Sequence, residues 1–154
     1  MNRAFTLVAA QLLLLAALVV IPHGTLWPVA AAALVIVMVL VLAGAALAVL
    51  GAAGLGSALT ASPIPREHAG LVTTGIYGVV RNPIYTGLLV AGLGLVVFGA
   101  SIWHIVTWLA LLSLLAGKAR WEERMLRAKH PEFDQYAARV GRFIPGVGRL
   151  RRPD

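Results

Sequence analysis

Residues 75–86 read GIYGVVRNPIYT. The stretch sets a guanidinium, an amide and two phenols at the mouth of a hydrophobic run. Arg81 is a planar cation that can hold a carboxylate through two parallel N–H bonds. Gly75 and Gly78 let the backbone turn closely or approach a ligand. Asn82-Pro83 ends one segment and starts a helix, because proline is tolerated in the first helical turn. That helix start offers unpaired N–H groups to an anion. Tyr77 stands ahead of it and Tyr85 just inside it. The expectation is a cationic, aromatic-flanked pocket. The plainer alternative makes Arg81 a positive anchor below a membrane span.

Glu122 and Glu123 are the second group that could do chemistry, in a chain with only six acidic residues. A carboxylate pair would suit a cationic ligand. Consecutive helical residues point about 100° apart, so the two need not face one site. Lys118 and Arg127 each lie four residues from one of them, which equally fits a solvated, ion-paired face. His68 lies in a polar connector and can serve as a base for a site there. His23, His104 and His130 fall in other segments without HxxH or HExxH spacing, so no metal site is expected. The absence of cysteine excludes disulfides, thiol nucleophiles and cysteine-based metal sites. GAAGLG at 51–56 does not follow a strand, which rules out a dinucleotide loop. No G-x-S-x-G and no P-loop occurs.

The elements that must position these groups are apolar. The chain has 154 residues, 60% of them hydrophobic and 12% charged, with a mean hydropathy of +0.87. Soluble domains carry about 25% charged residues. Four apolar runs, at about 4–21, 29–50, 84–98 and 102–117, predict an all-α, integral-membrane helical bundle of about four transmembrane helices in one domain. The first is read as a retained span, since the IPHGT after it offers no small-x-small cleavage site and a second span follows at once. Residues 51–81 form a water-facing connector, broken by six glycines and two prolines. The last two runs are short for spans and predict a hairpin turning at 99–101. Beyond Gly117 the helix is expected to leave the membrane, Pro131 to interrupt it, and an amphipathic stretch, EFDQYAARVGRFI, to end at Pro145-Gly146.

Ten of the thirteen Lys and Arg residues lie within 118–154. The 22–28 and 99–101 turns carry none. By the positive-inside rule both termini face the cytoplasm of an inner or plasma membrane. The net charge of +7 is read as a lipid-facing tail, not as a nucleic-acid surface.

Three blocks taken together resemble a known family. LVTTGIYGVVRNPIYTG at 71–87, EERML at 122–126 and FDQYAARVGRFIP at 133–145 are similar, in order and spacing, to the isoprenylcysteine carboxyl methyltransferase and phospholipid methyltransferase superfamily. The match covers about 56–145. The resemblance implies a small membrane enzyme that binds S-adenosylmethionine on the cytoplasmic side without a soluble nucleotide-binding domain. It places Gly75, Tyr77, Asn82, Pro83 and Tyr85 in the cofactor pocket and gives Glu122 and Glu123 the cofactor's ammonium or ribose. Asn82 replaces a histidine common in the family, and Phe133 replaces an aromatic hydroxyl.

The implied reaction is methyl transfer to a lipophilic, membrane-borne carboxylate or amine. Arg81 would orient a carboxylate acceptor with its two-pronged bond; an amine would need a base, for which His68 or a glutamate is the candidate. Two alternatives belong to other classes: an NADPH-dependent membrane reductase of related architecture, and a non-enzymatic lipid-binding membrane protein. The acceptor and the oligomeric state are not legible in the sequence.

Overall fold

The computed structural model describes residues 3–56 and 70–150. Their helices are α1 (Arg3–Val20), α2 (Ala31–Leu55), α3 (Pro83–Gly99), α4 (Ile102–Lys129) and the short α5 (Phe133–Arg139), with one 3-10 turn at Gly75–Gly78. Among the described residues the only extended pairing is an isolated parallel bridge between Val80 and Gly141. The fold is all-α, as expected. A long Ala/Leu/Val run satisfies its backbone polar groups internally only as a helix when water is excluded.

α2 and α4 are long and apolar enough to cross a membrane; Ala4–Val20 and Pro83–Gly99 are shorter apolar helices. At 1.5 Å per residue, α2 reaches about 37 Å and α3 about 25 Å, against a hydrocarbon core of about 30 Å. α2 leaves one long face outside the bundle: Leu34, Val35, Ile36, Met38, Val39 and Leu42 are all exposed. In water such a face would be unstable; in lipid it is solvated.

The closest helix pair is α2 with α3, and small residues make it possible. A methyl group added at Gly44 would come within 2.5 Å of the Ala91 nitrogen and 2.5 Å of the Gly87 carbonyl oxygen. One added at Gly87 would collide with the Gly44 carbonyl oxygen. Gly44, Ala48, Gly87 and Ala91 thus bring two backbones into contact, the packing mode that replaces hydrophobic driving force in lipid. At the far end of the bundle, the turn after α1 pairs with the turn after α3: Gly24 N donates to Gly99 O (2.8 Å) and Leu26 N to Ala100 O (2.9 Å). Trp27 Nε1 adds a bond to Val97 O at 2.9 Å. The core joins Leu18, Leu89, Val96, Leu111 and Leu115.

Two expectations need correction. Gly51–Leu55 are not connector but the last turn of α2. The amphipathic tail is helical only over Phe133–Arg139. It stops because the following backbone is taken by another partner: Arg81 N donates to Gly141 O at 2.8 Å and Asn82 N to Arg142 O at 3.1 Å. Phe133, Tyr136, Ala137 and Val140 form a second small core there, against Leu71, Leu126 and Leu150.

Candidate active site

The polar residues gather at the end of the bundle where the 3-10 turn, the start of α3, the second half of α4 and the 133–150 segment meet. Proline at the first position starts α3 after Asn82. The main-chain carbonyl of Asn82 receives Thr86 N (2.9 Å) and Thr86 Oγ1 (3.0 Å), which closes the first turn. Gly75 opens the 3-10 turn at φ +60°, a left-handed conformation that favours glycine.

Glu123 is the hub. It is 7% exposed and accepts from Arg81 Nε (3.1 Å), Asn82 Nδ2 (3.3 Å), Arg142 Nε (3.0 Å) and Arg142 Nη2 (2.7 Å). Burial alone would raise its pKa. Hydrogen bonds from Arg142, and the charges of Arg81 and Arg142, outweigh that and hold it below the ordinary carboxylate value. One carboxylate therefore ties all three sequence blocks together.

Arg81 is equally committed. It is 6% exposed, and its Nη1 donates to Ala137 O (2.8 Å) and Val140 O (2.6 Å) while Nη2 donates to Gly148 O (2.9 Å). With Nε on Glu123, four of the five guanidinium N–H groups are engaged. The expected two-pronged grip on a substrate carboxylate is corrected on that ground: a single N–H remains, and a fork needs two. Arg81 fastens the C-terminal segment to the bundle. The expectation that both glutamates hold a cofactor meets the same objection at Glu123, whose oxygens are spent on arginines and an amide.

Glu122 points the other way, as the 100° offset allows. Its Oε1 accepts from Tyr85 OH at 2.6 Å. It lies in the polar second half of α4, past the apolar 102–117 run, and burial pushes its pKa up to about 7 despite the opposing Tyr85 hydrogen bond and Lys118 charge. Lys118 lies over the Tyr85 ring, 5.0 Å from its centroid, and donates to Gln11 Oε1 of α1 at 2.8 Å. Tyr77 completes the group. Its OH reaches Gly51 O (3.1 Å), its ring lies against Gly54, and its main-chain oxygen accepts from Tyr136 OH (2.6 Å). Burial, then the Glu122 charge, push the Tyr77 phenol up to about 12.

The structure thus brings Tyr77, Tyr85 and Glu122 into one polar nest and makes Arg81, Asn82, Pro83 and Glu123 its frame. A methyl group at Gly75 would meet nothing within 4 Å, so that turn borders open space. His68 lies outside the described residues. Sequence reasoning passed over Gln11, Tyr136 and the bracing role of Arg142. Gln11 carried a signal: it is a lone amide in a hydrocarbon run, and polar groups inside such runs generally face a partner. Two aromatic rings and one carboxylate, partly desolvated, suit a cation, and the Lys118 ammonium already lies over one of the rings.

The sequence model of the phospholipid methyltransferase family matches residues 27–132. The nickel-cobalt-cadmium resistance protein NccN of Alcaligenes xylosoxydans xylosoxydans is 38% identical over 88 residues, 56% of this chain and 41% of its own length. The cobalt-zinc-cadmium resistance protein CzcN of Cupriavidus metallidurans is 36% identical over 88 residues, 56% of this chain and 40% of its own. The matched region spans about two fifths of these relatives. No solved structure matches the chain significantly.

Proposed function

The chain belongs to the phospholipid methyltransferase family, and from that premise we propose that it transfers a methyl group from S-adenosylmethionine to a lipophilic acceptor held in the membrane, at the cytoplasmic face. The observation that carries this reading is the Glu122–Tyr85 pair. A carboxylate with raised proton affinity sits 2.6 Å from a phenol at the foot of an apolar bundle.

Tyr77, Tyr85 and Glu122 would hold the cofactor, with Gly75 leaving room at the rim. The cofactor when bound supplies an electrophilic methyl group on a sulfonium, which departs as a neutral thioether. The chain's own residues do the rest. Glu122 favours a cation beside it, and the tyrosine rings offer their negative faces to it. The Arg81–Glu123–Arg142 frame holds the nest against the bundle, so that the reacting groups are positioned without reorganisation.

The acceptor's nucleophile is a carboxylate or an amine. An amine must lose a proton, and Glu122, with its pKa near neutrality, is placed to take it. His68 remains a second candidate base. Four crossings with both termini cytoplasmic fit the basic-residue asymmetry, and that orientation puts the nest on the cytoplasmic side. The relatives are named for metal resistance, and those names state no reaction.

The test is a transfer assay with methyl-labelled S-adenosylmethionine and total membrane lipid extract. The reading expects label in an extractable lipophilic product, lost in Glu122→Gln. Absence of any labelled product with the wild-type chain, across lipid extracts, would remove the reading.

A further inference from the structure

A cleft of about 210 Å³ lies between the second half of α4 and the turn at 141–150, and neither Tyr85 nor Glu122 lines it. Arg120, Arg124, Arg127 and Arg142 line it together with Glu123, and Phe133 and Leu150 are its apolar lining. Positions 120, 124 and 127 follow i, i+4, i+7 spacing, which puts three guanidiniums on one helix face. Glu123 is shared by Arg81 and Arg142, and Asp134 pairs with Arg127. Among the described residues Arg120 and Arg124 have no ion-pair partner. Four guanidiniums therefore line the cleft against the one carboxylate of Glu123.

We propose that this cleft binds a phosphate group, carried by an anionic lipid headgroup, separately from methyl transfer. Position supports the lipid. Arg120 stands three residues past Gly117, about 4.5 Å along the helix, within the roughly 5–8 Å headgroup layer that borders the hydrocarbon. Arg124 follows about 6 Å farther along the helix, on the side away from the hydrocarbon. Planar guanidinium forks match a phosphate better than point charges do. The apolar lining keeps water from one flank and strengthens the attraction. The size is below the ~300 Å³ of pockets that enclose a whole drug-sized ligand, so the cleft takes a headgroup and leaves acyl chains in the bilayer.

The test uses the full chain in uncharged detergent. Affinity is measured by thermal shift for dioctanoyl phosphatidic acid, for inorganic phosphate and for dioctanoylglycerol, which lacks the phosphate. Phosphatidic acid is expected to bind, to weaken with salt, and to lose at least tenfold in affinity in R120Q/R124Q, two exposed positions whose change leaves the core intact. Inorganic phosphate binding as tightly, with the same loss in the variant, also supports the phosphate site and identifies a soluble phosphate as its source. Affinity within twofold of wild type in R120Q/R124Q, or equal binding of dioctanoylglycerol, overturns the proposal. S-adenosylhomocysteine binding should be unchanged in the variant, which keeps this site distinct from the Glu122 nest.

Discussion

Arg81→Lys is the sharpest structural perturbation, because it keeps the charge and removes the fork. The wild-type guanidinium reaches Glu123, Ala137, Val140 and Gly148 from three nitrogens pointing in different directions. A lysine ammonium donates from one point. It can serve the Ala137 and Val140 carbonyls, which share Nη1 at 2.8 and 2.6 Å, but not Glu123 and Gly148 as well. Two charged hydrogen bonds are lost, at about 1.5–3 kcal/mol each, so docking of the C-terminal segment weakens by about 3–6 kcal/mol. That is a large share of the ~5–15 kcal/mol that stabilises a domain. The readout is amide hydrogen exchange in detergent, followed at Leu150, whose N–H bonds to Ala137 O at 3.0 Å. If exchange occurs by undocking, 3 kcal/mol corresponds to an increase of roughly a hundredfold. Wild-type protection at Leu150 together with lost methyl transfer would refute the reasoning and return Arg81 to the role of substrate clamp.

Glu122 should make stability pH-dependent. Its folded pKa, about 7, lies above the ordinary value of 4.5, so the folded chain keeps a proton that the unfolded chain releases. Its contribution is therefore fully present below pH ~4.5 and is lost as pH rises through 7, on the order of 3 kcal/mol in all; Glu122→Gln should flatten that part of a Tm-against-pH curve. Tyr85→Phe removes the hydrogen bond that lowers the Glu122 pKa, so the midpoint of pH-dependent ligand binding should move upward, as titration of adenosylhomocysteine affinity would show. Gly87→Leu drives a side chain into the Gly44 carbonyl and should abolish the monodisperse peak on size exclusion. Gly75→Ala meets no atom but strains a φ of +60°, and should cost about 1–2 kcal/mol in thermal stability.

The four apolar helices were legible because each is a run of hydrocarbon bounded by a charge, proline or glycine. Asn82-Pro83 marked the start of α3 for the same local reason. The short α5 was not legible: FDQYAARVGRF continues an amphipathic pattern, and its interruption comes from Arg81 and Asn82, some sixty positions earlier, claiming its backbone carbonyls. The glutamate pair shows the limit most clearly. Helical geometry says the two side chains diverge, but only the tertiary partners decide which is a strut and which is available. Glu123 meets two arginines and Glu122 meets a tyrosine and a lysine. The order of the three blocks pointed to a common site, and the carboxylate that joins them is the element that spacing alone could not name.

The central claim is that Glu122, not Glu123, faces the cofactor. Isothermal titration of S-adenosylhomocysteine into the purified chain, with Glu122→Gln and Glu123→Gln side by side, tests it most directly. Wild type should bind. Glu122→Gln should lose at least tenfold in affinity without loss of thermal stability at pH 8, whereas Glu123→Gln should lower Tm sharply. Wild-type affinity in Glu122→Gln would contradict the account.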